Sequence, residues 1–84
     1  MNDTRKQQVQ DLVNIYVNRF TSAVMSDMAL VEEQRYCQEA NNWMRAQKAA
    51  NNITKEEMRE ALEACEENAR AKGTACVYDL NMME

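Results

Sequence analysis

Histidine and proline are absent from the chain, and glycine occurs once, at Gly73. Without histidine the protein lacks the commonest general base and the commonest metal-ligating side chain. A Glu-x-x-His metal motif in a helical bundle is excluded on the same ground. A single glycine cannot build a phosphate-cradling loop, which needs several at fixed spacing. The three cysteines, Cys37, Cys65 and Cys76, form no close pair and show no zinc-ligand spacing. No apolar run is long enough for a transmembrane span. The opening residues MNDTRKQQVQ lack the apolar core of a signal peptide. The expectation is a cytoplasmic chain with reduced thiols.

Basic charge is also scarce. Ten Lys and Arg face fourteen Asp and Glu, a net charge of −4. General nucleic-acid binding and attraction to anionic membrane both need the opposite balance. The RKQQ cluster at 5–8 offers only two charges to phosphate. No basic recognition helix follows the MSDM stretch at 25–28, because Glu32, Glu33 and Glu39 offset Arg35, Arg45 and Lys48. Direct reading of DNA is therefore not expected.

What is present favours helix throughout. Ala, Glu, Gln, Met, Arg and Lys dominate, and 45% hydrophobic residues allow a core. Eighty-four residues make one domain, spanning 1–84. A chain this short buries only ~60–65% of its unfolded surface, so oligomerisation would help it.

The periodicity divides the chain into three helices, over about 4–25, 28–50 and 54–72. In the first, Val9, Leu12, Val13, Tyr16, Phe20, Ala23 and Val24 form one stripe, with Asp3 or Thr4 as cap. Continuing that stripe would bury Asp27, so a break belongs there, with Ser26 and Asp27 as caps for the next helix. One long bent helix over 4–50 is the alternative. In the second helix Cys37, Ala40 and Met44 share a face edged by Tyr36 and Trp43. AANN at 49–52 then ends the pattern with turn-favouring residues.

The third helix is the most explicitly marked. Thr54 and Glu57 stand at the spacing of a capping box, with Ile53 and Met58 as a hydrophobic staple. Arg70 and Lys72 suit the negative end of the helix dipole, and Gly73 suits a left-handed cap. The corner at 51–53 makes an antiparallel hairpin of the last two helices. The expected fold is a small all-α bundle with a short hydrophobic C-terminal tail. In that tail Cys76, Tyr78, Leu80 and Met82 alternate with Val77, Asp79, Asn81 and Met83. Either it is extended and needs an edge from another chain, or it turns and lies across the helices with Val77, Leu80 and Met83 inward.

Two surfaces are candidates for contact. At 3.6 residues per turn Glu56, Glu60, Glu63 and Glu67 fall on one side of the third helix, opposite Met58, Leu62, Cys65 and Ala69. This row is either an acidic ridge that docks on a basic surface or an ordinary solvated face. A Glu66–Arg70 pair is expected to relieve some of its repulsion. The second surface is apolar: Ile15, Val17, Met25 and Val31 fall outside the helical stripes, and Tyr78 and Leu80 belong to the tail. With so small a core these positions favour a homodimer seam or a packing role.

No catalytic residue, cofactor site or metal site emerges, and the protein is not expected to be an enzyme. In size and character it is similar to small inhibitory proteins of phages and other mobile elements, including anti-CRISPR proteins; no motif carries that likeness. The likeness implies occlusion of a partner protein, with Glu56, Glu60, Glu63 and Glu67 in place of phosphates. The competing expectation is a structural subunit of a larger helical complex.

Overall fold

The computed structural model describes residues 3–84, and among them there is no β-strand. Three α-helices, α1 (Asp3–Met25), α2 (Leu30–Asn51) and α3 (Lys55–Lys72), precede a short 3-10 helix at Leu80–Met83. Residues 4–50 are thus two helices and not one. The break falls where the apolar stripe would have buried Asp27, which stays exposed in the linker.

The caps differ from expectation at that break. Ser26 Oγ donates to the Ala23 carbonyl at 3.1 Å, closing α1 and not opening α2. Ala29 occupies the N-cap position of α2 with extended backbone and no side-chain cap bond. Asp3 and Thr4 both lie inside α1, and the position ahead of them is outside the described residues.

The second corner is built as its sequence requires. Asn52 adopts the left-handed conformation (φ 52°) that ends α2, and the Ile53 N–H reaches back to the Lys48 carbonyl at 3.0 Å. Thr54 Oγ1 accepts from the Glu57 N–H at 3.1 Å, while the Glu57 carboxylate accepts from the Thr54 N–H at 3.0 Å. Ile53 and Met58 are both buried beneath this capping box. At the far end of α3, Gly73 takes φ 70° and the Thr74 N–H bonds the Ala69 carbonyl at 2.9 Å.

Helix α1 is the spine. Tyr16 meets Asn41 and Gln8 meets Asn51, so α2 runs antiparallel to it. Arg5 meets Glu57 and Gln10 meets Ala61, so α3 runs parallel to α1 and antiparallel to α2. The antiparallel directions of α2 and α3 follow, but the expected packing of the two against each other does not: both pack on α1, which lies between them, and they scarcely touch beyond the corner. The molecule is a flattened body of 44 × 30 × 18 Å.

A single core joins every element. Val13, Tyr16, Met44, Met58, Leu62 and Met82 are its largest fully buried side chains. Three of the six are methionines, whose unbranched thioethers fill irregular gaps between helices. Met82 comes from the tail, which therefore plugs the core from the C-terminal side.

Candidate functional site

The closing segment, 74–84, is neither a free strand nor a loose end. Thr21 Oγ1 accepts from the Val77 N–H at 2.9 Å and donates to the Val77 carbonyl at 3.0 Å. One α1 side chain thus satisfies both backbone groups of Val77, which an extended tail would have offered to another chain. Two residues on, the Asp79 N–H donates to the Tyr16 hydroxyl at 3.1 Å, and Tyr16 donates to Asn41 Oδ1 at 2.7 Å. Asn41 Nδ2 closes the circuit on Asp79 Oδ2 at 3.0 Å. The other Asp79 oxygen caps the 3-10 helix by accepting from the Asn81 N–H at 2.9 Å. Burial pushes the Tyr16 phenol up to about 12, so it stays a protonated donor.

Tail polarity corrects the sequence expectation. Met82 is the inward residue, Leu80 is 70% exposed, and Val77 and Met83 are half-buried. A 3-10 helix turns roughly 120° per residue, so a two-residue alternation cannot persist through it. Tyr78, proposed as interface, is half-buried against the core. Burial and the neighbouring Glu66 carboxylate raise its pKa. Glu66 thus lies beside Tyr78, and no Glu66–Arg70 ion pair forms among the described residues. Val17 is also lost to the apolar interface, because it is buried in the core. Ile15, Met25 and Val31 remain exposed, and Leu30 joins them at 66%.

The acidic row stands clear. Glu56, Glu60, Glu63 and Glu67 are all exposed, and none forms an ion pair among the described residues. The eleven residue-to-residue steps from Glu56 to Glu67 give the row about 16 Å of length. Glu57, beside it in sequence, is used differently. Its carboxylate accepts from Arg5 Nε at 2.9 Å and Arg5 Nη2 at 3.0 Å, a bidentate grip across the corner. Arg5 Nη2 also reaches the Asn52 carbonyl at 3.2 Å. Together with the Thr54 N–H, these bonds hold the Glu57 pKa down at about 2. The sequence marked Glu57 as a cap but carried no signal for its ion pair with a residue 52 positions earlier. Arg5, one of the two charges of the RKQQ cluster, is thereby engaged within the chain.

Between α1 and α3 runs an open groove of about 570 Å³. Val9, Ala61 and Ala64 line it at its base, Glu60, Glu63 and Glu67 border it on α3, and Lys6 borders it on α1. A second groove of about 660 Å³ lies between α1 and α2, lined by Ser22, Ala23, Met28, Tyr36 and Ala40 among others. On its α1 side stands Arg19, with its guanidinium 4.9 Å over the Trp43 ring.

The thiols sit in packed surroundings. Cys65 Sγ donates to Asn14 Oδ1 at 3.0 Å and accepts from Gln10 Nε2 at 3.5 Å. Burial pushes its pKa up to about 11, and burial raises Cys37 and Cys76 as well. A nucleophilic thiol needs the opposite shift. Among the described residues no three Cys, Asp or Glu side chains converge as a metal site would require, and no helix is long and apolar enough to cross a membrane. No protein-family model matches the chain, and comparison with curated proteins and with solved structures finds no match.

Proposed function

We propose that the protein is a non-enzymatic, protein-binding regulator whose α3 ridge occludes a basic surface on its partner, in the manner of small phage and mobile-element inhibitors. The supporting observation is the ridge itself: four exposed carboxylates in a row about 16 Å long, with no cation paired to them among the described residues. Four like charges at three- and four-residue spacing repel one another, by a few tenths of a kcal/mol per pair. A basic partner removes that repulsion and gains steering during encounter. One DNA strand places a charge every ~3.4 Å of axis, so the ridge covers the run of roughly five phosphates. A surface built to hold nucleic acid is therefore the natural counterpart, and occupation of it is the mechanism. The reading places the chain in the cytoplasm, where such partners work.

The test compares the parent chain with an E56Q/E60Q/E63Q/E67Q variant as bait in nuclease-treated lysate of the source organism. The parent is expected to retain a basic nucleic-acid-handling protein that duplex DNA competes away. The variant is expected to retain none. Equal retention by both chains would remove the ridge as the contact surface.

A second reading rests on a different observation. Met25, Leu30, Val31 and Leu80 are each at least 65% exposed, an apolar excess that suits a subunit of a larger helical complex or a homodimer. It calls for salt-insensitive association, measurable by light scattering across ionic strengths.

A further inference from the structure

The ridge borders the α1–α3 groove, and the shape of that groove restricts what can lie against the carboxylates. We propose that the groove seats a single basic α-helix of the partner, with Lys or Arg spaced three and four residues apart around a small residue. This inference rests on the ridge reading and specifies the element that the ridge grips.

Charge sets one requirement. Glu60, Glu63 and Glu67 border the groove over two helical turns, about 10 Å. A helix laid alongside repeats its own side chains at the same interval, so its cations meet successive carboxylates without distortion. On the α1 border Arg5 is already held by Glu57, and Lys6 disfavours a further cation opposite it. The basic face of the occupant is therefore narrow and one-sided.

Backbone chemistry sets the second. Every residue lining the groove belongs to α1 or α3, whose interior N–H and C=O groups are bonded within their helices. An extended segment would bring a row of backbone groups, and the groove offers no free backbone edge to pair with them. A helix brings its own already satisfied. The base sets the third: Val9 and Ala61 are buried, and Ala64 adds only a methyl group. Small residues let two helices approach closely, so the occupant presents Ala, Ser or Gly there and not a long apolar chain.

The experiment is fluorescence anisotropy with two labelled Lys/Ala peptides of identical composition. In one the lysines follow three- and four-residue spacing on a single helical face; in the other their order is scrambled. The parent chain is expected to bind the one-faced peptide at least tenfold more tightly. Both an E60Q/E63Q/E67Q variant and an Ala64→Phe variant, each checked for unchanged helicity, are expected to lose that preference. Ala64 is exposed, so the phenyl ring fills the groove without entering the core. Equal binding of the two peptides, or undiminished preference in Ala64→Phe, would overturn the groove as the seat. If Ala64→Phe binds normally while the Gln variant does not, the ridge reading survives without the groove. If the Gln variant also binds normally, both fail.

Discussion

A single hydroxyl, that of Thr21, does the work of a neighbouring strand for Val77. It supplies one acceptor and one donor to a backbone that no helix or sheet otherwise pairs. Thr21→Val keeps the shape and removes both bonds. The cost is expected to be about 1–3 kcal/mol, the usual penalty for half-buried polar groups left unmatched. Urea unfolding measures it, and limited proteolysis should show earlier cleavage within 74–84. Glu57 offers a residue-scale test with a defined pH signature. Its pKa is lowered from 4.5 to about 2, first by the Arg5 hydrogen bonds and then by the Thr54 N–H. A depressed carboxylate contributes stability that is complete above its unfolded pKa and lost as pH falls through the folded one. The parent should therefore lose stability between about pH 4.5 and 2 more steeply than Glu57→Gln does. Thermal midpoints across that window decide it; parallel curves would mean that the Arg5 contact adds no proton-linked stability.

Two helices end in left-handed residues, but not in the same residue type. Asn52 closes α2 at φ 52°, and Gly73 closes α3 at φ 70°. A Cβ built at Gly73 meets nothing within 4 Å, so a substitution there strains the backbone without a clash. Gly73→Ala is expected to cost about 1 kcal/mol for that reason. Asn tolerates the same conformation through its short polar side chain, and Asn52→Ala forfeits that tolerance. Its loss should be comparable, at about 1 kcal/mol. Denaturant midpoints of the two variants measure both, and no change in either would mean that its corner relaxes to another turn. The α2–α3 corner carries more than a cap, because Arg5 ties the Asn52 carbonyl and the Glu57 carboxylate to the start of α1. The first and third helices are thus held in register at one end, while the tail closes the other side through Tyr16, Asn41 and Asp79.

Across the whole molecule the charge is uneven. The net charge is −4, and the four ridge glutamates lie on one side of α3. A surface kept for a partner is expected to cost stability in the free protein. An E60Q/E63Q/E67Q variant, which keeps Glu56 at the positive end of the α3 dipole, should therefore be more stable than the parent, by up to about 1 kcal/mol over the three adjacent pairs. Salt screens the repulsion, so the gain should shrink at roughly 0.5 M ionic strength. Calorimetry at low and high salt gives both numbers. A variant no more stable than the parent would mean that the ridge carries no strain for a partner to relieve.

Local chemistry alone determined the helical class, the three segments and the strongest corner. Composition, 3.6-residue periodicity and the Thr54–Glu57 spacing each act over a few residues, and each can be read without knowing what packs where. The break near Asp27 was legible because a charged residue cannot continue a buried stripe. The exposure of Glu56, Glu60, Glu63 and Glu67 likewise follows from their place opposite Met58 and Leu62. Tertiary structure decided the rest. Val17 falls outside the apolar stripe of α1 and is core because α3 and the tail lie along that side. Leu80 and Met82 differ in burial because a 3-10 turn replaces the alternation. The Arg5–Glu57 grip and the Tyr16–Asn41–Asp79 circuit join residues 52, 38 and 63 positions apart. No periodicity reaches that far, because such pairs arise from how the helices are laid beside one another.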